Sequence, residues 1–521
     1  MNFLYLYHVI RCQRVPLGVN LGCHFCQPPI KSFLSHFLYF ELLYLCEFVG
    51  KCVTLRQKSA GKCVKFALKS AGKRVIMYKR KIEKVFQSWI DDSSHKPLVV
   101  KGVRQCGKTS SVMDFASKHF KNVVYLDFRE HPEYKKFFTP NLDVDSIIMR
   151  ITAAMPSVEV EAGKTCFVFD EIQDCPRARG SLKYFHLDGR YEVICTGSLL
   201  GVNGYKTPGE KAEEEEASIP VGFEDIVNMY PMDFEEWLWA NGIKDVHIEY
   251  LKKCLNNETP VEEALHDRFS DLLNQYIVVG GMPEVISTFM ETRQIGKVLA
   301  VQRRIVDDYK ADMVKYALPA DKSRIRECFE SIPAQLAREY KKFSYTVVRP
   351  GGRGRDYAGS LQWIEDAGII RRCYNTLITE LPLDGNRIQS EFKVYLADIG
   401  LLISMLEEGT QSSILEGNLL SYKGAIIENL VADIFGKMGR KLYYYHKNSG
   451  VELDFLIRYK GLCTPVECKA TTGNAKSLRT VLKHPEKYHV TSAIKLGNYN
   501  IGRNEGLLTM PLYLAFLLTE V

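Results

Sequence analysis

No stretch of this 521-residue chain stays apolar for the length of a membrane crossing. The nearest approach, Ile30 to Val49, is interrupted by His36, Glu41 and Glu47, and a carboxylate near the middle of a span is costly in hydrocarbon. No membrane segment is expected. A secretory pattern of basic start, clean apolar core and small-residue cleavage site is missing as well. The 15 cysteines are scattered along a long chain and do not frame a short one, which argues against a disulfide scaffold and for a reducing, cytoplasmic setting. Cys23-x-x-Cys26 is half of a zinc pattern with no second half nearby, so it reads as free thiols. Global basicity is lacking too. Residues 1–76 hold eleven Lys/Arg against two Asp/Glu, which is +9, and with a net charge of +7 the remainder of the chain sums to −2. Charge alone therefore names no nucleic-acid partner.

What is present begins at Leu98-Val-Val-Lys-Gly-Val-Arg-Gln-Cys-Gly-Lys-Thr-Ser-Ser111. A β-branched run ends at Gly102, and Gly107-Lys108-Thr109 opens an amphipathic segment with Val112, Phe115 and Ala116 on one face. The spacing Gly102-x4-Gly107-Lys108-Thr109 is that of a phosphate-binding loop, in which glycines let consecutive N–H groups turn into one concavity at a helix N-terminus. Gly102, Gln105, Cys106, Gly107, Lys108, Thr109 and Ser110 are the expected nucleotide-binding residues. Lys108 would reach the outer phosphates of ATP and the Thr109 hydroxyl would join a Mg²⁺ shell made largely of water and phosphate.

Strands at Val123 to Phe128, Thr165 to Glu171 and Tyr191 to Ser198 alternate with helical stretches, the pattern of a parallel sheet covered on both faces. Such sheets place ligands at the carboxyl ends of their strands. Asp170 is there the expected metal-side carboxylate and Glu171 the base for the attacking water. Thr196 and Ser198 give the next strand a polar end.

These motifs, with Ile172-Gln173, Cys175-Pro-Arg177, Ser181-Leu-Lys-Tyr-Phe185 and Thr196-Gly-Ser-Leu-Leu-Gly-Val202, resemble a large prokaryotic family that pairs an AAA_14-type, AAA+-like ATPase with a DUF4143-type carboxy-terminal domain. The resemblance runs from about Met77 to the end. It implies an AAA+-type fold with Lys108, Thr109, Asp170 and Glu171 as the nucleotide machinery and Ser198 or Thr196 as the sensor of the terminal phosphate, and leaves Arg177, Arg179 and Arg190 as candidate arginine fingers. Glu210 to Glu216 reads as an acidic loop, and Asp233 with Glu236 three residues on reads as a capping box.

Further on, Gly280-Gly281-Met-Pro283 is a turn between helices. Helices at Lys322 to Tyr340 and Tyr357 to Ala367, followed by strands at Ile369 to Tyr374 and Lys393 to Leu396, have the order of a winged helix, and Arg349-Pro-Gly-Gly-Arg-Gly-Arg355 between the helices is basic, as phosphate contacts would require. Near the end, Glu428 on a helix, Asp454 on a strand and Glu467-x-Lys469 on the next strand resemble the PD-(D/E)xK nuclease motif. The resemblance implies Mg²⁺ on Glu428, Asp454 and Glu467, with Lys469 steadying a hydroxide.

The chain is thus expected to be α/β: an N-terminal extension over 1–76 with a duplicated Lys58-Ser-Ala-Gly-Lys motif, a P-loop AAA+-like domain over 77–245, a helical lid over 246–320, a winged helix over 321–405 and a restriction-endonuclease-like domain over 406–521. Its expected work is ATP hydrolysis coupled to action on DNA. The alternative is an ATP-dependent switch whose carboxy-terminal domains bind a protein partner without cutting, and a homo-oligomer is left open as a further assembly.

Overall fold

A computed structural model describes residues 77–199, 220, 222–315, 317–416, 422–447, 450–469 and 474–519. The extension over 1–76, the acidic loop Glu210–Glu216 and Leu200 to Val202 lie outside the described residues.

From Leu98 onward short apolar runs alternate with helices, and the strands assemble in parallel. They are β1 (Leu98–Gly102), β2 (Asn122–Asp127), β3 (Thr165–Asp170), β4 (Glu192–Ser198) and β5 (Asp225–Met229), in the order β2-β3-β4-β1-β5. Because successive strand residues face opposite ways, β3 divides its apolar run between two cores. Cys166 and Val168 join the one that holds Phe86, Val112 and Phe115, while Phe167 and Phe169 join the one that holds Ile147, Ile151, Leu182 and Phe185. Helices α1 (Ile82–Asp91) and α2 (Lys108–His119) supply the first set, α3 (Val144–Ala154) and α4 (Pro176–Asp188) the second. β4 lies between β1 and β3, so the ends of all three strands meet where the loop after β1 emerges.

A helical region follows: α5 (Phe234–Ala240), α6 (Asp245–Asn257), α7 (Glu263–Val279), α8 (Pro283–Thr292), α9 (Ile295–Met313), α10 (Pro319–Glu330) and α11 (Gly354–Asp366). α5 begins with the expected capping box, Asp233 accepting from Glu236 N while the Glu236 side chain accepts from Asp233 N. The helix expected over Lys322 to Tyr340 breaks after Glu330, and a short helix Ile332–Leu336 resumes with Pro333 in its first turn.

β6 (Ile370–Thr376) and β7 (Arg387–Leu396) form the anticipated hairpin. β6 also pairs in parallel with β8 (Leu442–His446), so the hairpin is one end of an eight-stranded sheet in the order β12-β13-β11-β10-β9-β8-β6-β7. The other strands are β9 (Glu452–Tyr459), β10 (Leu462–Cys468), β11 (Ala493–Gly497), β12 (Gly502–Asn504) and β13 (Leu507–Pro511). Helix α12 (Ile399–Ser404) follows β7, α13 (Lys423–Lys437) lies on one sheet face and α14 (Lys476–Lys483) on the other. Among the described residues no helix is long and apolar enough to cross a membrane.

One buried ionic group ties three regions together. Lys437 Nζ, at the end of α13, donates to Asp433 Oδ2 at 2.9 Å, Asp398 Oδ2 at 3.1 Å, the Tyr276 hydroxyl at 2.9 Å and Met232 O at 3.3 Å. Asp398 Oδ2 also accepts Gly281 N–H at 2.7 Å, so the Gly-Gly-Met-Pro turn is anchored by a carboxylate 117 residues away.

Candidate functional site

The loop after β1 has the curl its glycines predict. Gly107 sits at φ +97° and Gln105 at +62°. A side chain at Gly107 would be strained in that conformation, and a Cβ at Gly102 would fall 2.2 Å from Met229 O of the neighbouring strand. Lys108 is buried and its Nζ donates to Gly102 O at 3.1 Å and Val103 O at 2.9 Å, folded back on the loop that would present it to phosphate. Arg80 braces the loop from outside, donating to Cys106 O at 2.9 Å and Tyr230 O at 2.7 Å, with Glu236 at 3.1 Å as its counter-ion. Cys106 is buried against Met229, whereas Gln105 and Ser110 are exposed.

Asp170 collects the donors around it. Thr109 Oγ1 lies 2.9 and 3.1 Å from its two oxygens, the Tyr125 hydroxyl donates to Oδ2 at 2.6 Å, and the Thr196 hydroxyl donates to Oδ1. Burial, followed by the charge of Asp170, raises the Tyr125 pKa, which keeps that hydroxyl a donor. A carboxylate and a threonine hydroxyl side by side at the mouth of the loop are hard oxygen donors of the kind Mg²⁺ accepts alongside phosphate and water, so this pair fits the ion that a triphosphate carries. Ser198 is buried and paired in register with Gly102, at the same end of the sheet.

Glu171 follows Asp170 in a left-handed conformation, φ +53°. Its Oε2 receives Gln173 Nε2 at 2.5 Å and lies 3.0 Å from Arg129 Nη2, while Arg129 Nε donates to Asp174 at 3.0 Å. The carboxylate expected to act as base is thus held by a cation just beyond β2. The three candidate fingers are all engaged within the chain: Arg177 with Phe138 O and Pro140 O, Arg179 with Glu224, and Arg190 with Asp188 and Asp145.

The carboxy-terminal carboxylates come from the elements expected of them, Glu428 from α13, Asp454 from β9, and Glu467 with Lys469 from β10 and its end. They bring their own cations. Glu428 accepts from Lys341 Nζ and from the Tyr395 hydroxyl at 3.0 Å, and Lys393 Nζ, itself 2 % exposed, lies 3.7 Å from Glu428 and 2.8 Å from Glu452. Asp454 accepts Cys468 N–H at 2.8 Å, and burial with the charge of Glu428 pushes its carboxyl up to about 7. Lys469 pairs with Glu467 at 2.5 Å, while Glu467 Oε2 is buried without a hydrogen-bond partner. Among the described residues no three His, Cys, Asp or Glu side chains group so as to hold a metal ion. With two ammonium groups on Glu428, this arrangement does not fit a divalent ion bridging Glu428, Asp454 and Glu467.

Residues 94–238 match the model of an AAA domain. This segment is an AAA-type P-loop domain. Beyond it, residues 270–412 match a domain of unknown function (DUF8612) and residues 423–514 a second one (DUF4143). The DUF8612 segment runs from within α7 past the β6–β7 hairpin and α12, whereas the eight-stranded sheet continues beyond its end. No curated protein matches the chain. Among solved structures, the Walker-type ATPase PABY2304 of Pyrococcus abyssi aligns at 13 % identity over 63 % of this chain and 96 % of its own, with a TM-score of 0.37. AMPPCP-bound DnaA from Aquifex aeolicus aligns at 11 % identity over 56 % and 90 %, with a TM-score of 0.25. At those scores neither likeness bears on the chemistry of this chain.

Tyr125, Arg129 and Arg80 around the AAA domain's loop, and Lys341, Lys393 and Tyr395 around Glu428, escape a reading by motif. Each is set beside its partner by the fold and not by spacing along the chain.

Proposed function

We propose that this chain binds and hydrolyses Mg·ATP in its AAA domain and acts as a nucleotide-dependent switch on its carboxy-terminal half. The observation that carries the reading is the convergence of the Lys108 loop, the Thr109 hydroxyl and Asp170 at the carboxyl ends of β1 and β3. In this reading Lys108 leaves the loop carbonyls for the β- and γ-phosphates, and loop N–H groups hold the α- and β-phosphates. Asp170 and Thr109 would hold Mg²⁺ with its waters, the ion would supply charge neutralisation at the phosphates, and Glu171 would take a proton from the attacking water once it leaves Arg129. Thr196 and Ser198 face the terminal phosphate. Titration calorimetry with Mg·ATP tests the reading: wild type gives a saturable isotherm and Lys108→Ala none. A wild-type chain that takes up no Mg·ATP would overturn it.

The neutralised carboxylates favour the switch over a nuclease. A second reading, action on DNA, rests on Arg349 and Arg353, exposed on the segment leading into α11, and on Arg355, exposed in its first turn. DNA affinity measured against salt decides it, since phosphate contacts require a clearly negative log–log slope and a flat line removes them.

A further inference from the structure

Helix α9 lays one face on the phosphate loop. Arg104 Nε lies 2.9 Å from Asp312 Oδ2, Gln105 Nε2 donates to Asp308 Oδ2 at 2.9 Å, and the Tyr309 hydroxyl donates to Arg104 O at 2.9 Å. Asp308 and Asp312 are one helical turn apart, so both carboxylates reach the same side. The space left between Gly102, Arg104, Ser198, Tyr309 and Asp312 is a cavity of about 10 Å³, enough for a single water and too small for a phosphate. The turn at Gly368 closes it from beyond α11, in contact with Val103 and Leu199.

Asp312 is an odd tenant for this place. It is 15 % exposed and its Oδ1 is buried without a hydrogen-bond partner. Burial raises its pKa, and the charges that oppose the rise come from Arg104, Arg129, Lys315 and Lys108. Two of these, Lys108 and Arg129, already serve the proposed phosphate and base positions. A carboxylate therefore lies in the field of cations suited to a phosphate, on the side of the loop where Ser198 ends its strand.

We propose that the Arg104–Asp312 pair determines selectivity for triphosphate over diphosphate: Arg104 is held by Asp312 in the nucleotide-free chain and passes to the terminal phosphate of ATP, which frees α9 from the loop. The proposal rests on the ATP reading above. A terminal phosphate carries more charge than a carboxylate and can take the guanidinium with two oxygens, where Asp312 meets it through Oδ2 while Oδ1 has no hydrogen-bond partner, so it is the stronger partner. ADP presents no group at that position and leaves the pair closed. A closed pair lowers the apparent ATP affinity by the fraction of chains that are open.

The test is calorimetric titration of the full chain and of Asp312→Asn with Mg·AMPPNP and with Mg·ADP. Loss of the competing charge tightens AMPPNP by about fivefold or more while ADP stays within about twofold, as expected for a coupling of ordinary size. Equal tightening of both nucleotides, or no change in either, overturns the proposal while leaving ATP binding intact. A wild-type chain that binds neither nucleotide overturns the ATP reading and this inference together. Hydrogen exchange on the wild-type chain is the second measurement, needed if the variant does not fold. Amides of Ile295–Met313 exchange faster with AMPPNP than with ADP, and equal rates overturn the proposal.

Discussion

Replacing Lys437 by Met removes one ammonium and nearly preserves the volume of the side chain. Lys437 is 1 % exposed, and its two carboxylate partners, Asp398 and Asp433, are 3 % and 0 % exposed. Asp398 keeps backbone donors from Gly281 and Leu401 at 2.7 and 3.2 Å when the lysine goes. Asp433 keeps Ile399 N–H at 3.3 Å as its hydrogen-bond donor and the more distant charge of Arg371, and its Oδ1 is already without a hydrogen-bond partner. Stripping the counter-ion from a buried pair costs about 3–5 kcal/mol, most of it the desolvation of the charge left behind. The variant can lower that cost by protonating Asp433. Burial already pushes this carboxyl up to about 7 with the lysine present, and removing the lysine raises it further. A raised carboxyl pKa favours the native state below the ordinary carboxylate range, and that stability is lost as pH rises through the folded value. The penalty of Lys437→Met is therefore full near pH 8 and smaller near pH 5. Guanidinium unfolding followed by tryptophan fluorescence at both pH values reads it directly. The double variant Lys437→Met, Asp433→Leu recovers most of the loss at pH 8, because the orphaned charge is gone and Asp398 retains its amides. A single variant that costs under about 1 kcal/mol at pH 8, or the same at both pH values, would refute the argument that this lysine neutralises a buried carboxylate pair.

Two other outcomes follow from the sites. Glu171→Gln retains Mg·ATP affinity and loses about 10²- to 10⁴-fold in phosphate release, as removal of a general base requires, and steady-state turnover beside calorimetry separates this from a binding defect. Asp454→Asn flattens the pH dependence of stability: the raised carboxyl of wild type contributes stability below about pH 4 that disappears as pH approaches 7, and a denaturation series across that window shows the difference between the two chains.

The nucleotide loop was legible because its chemistry is local. Eight consecutive residues form the anion concavity, and the strand before and helix after it follow from hydrophobic period. The same holds for Asp170 at the end of a continuously apolar strand, for the capping box at Asp233, and for the placement of Glu428, Asp454 and Glu467 on one helix and two strands. Each of these depends on residues a few positions apart.

What the chain alone could not disclose is which charges meet across long separations. The amino-acid sequence determined the elements, the Gly102–Thr109 loop and the residue types that end the central strands, since those are set by backbone conformation and near-neighbour periodicity. Only the tertiary structure decided that Arg129 holds Glu171, that Lys341 and Lys393 fill the space around Glu428, that β6 joins β8 in one sheet, and that α9 presents Asp312 to the phosphate loop. These pairings follow from packing two sheets and a helical region around shared cores. Once burial has removed water, each ionised group must take whichever opposite charge the packing brings within reach.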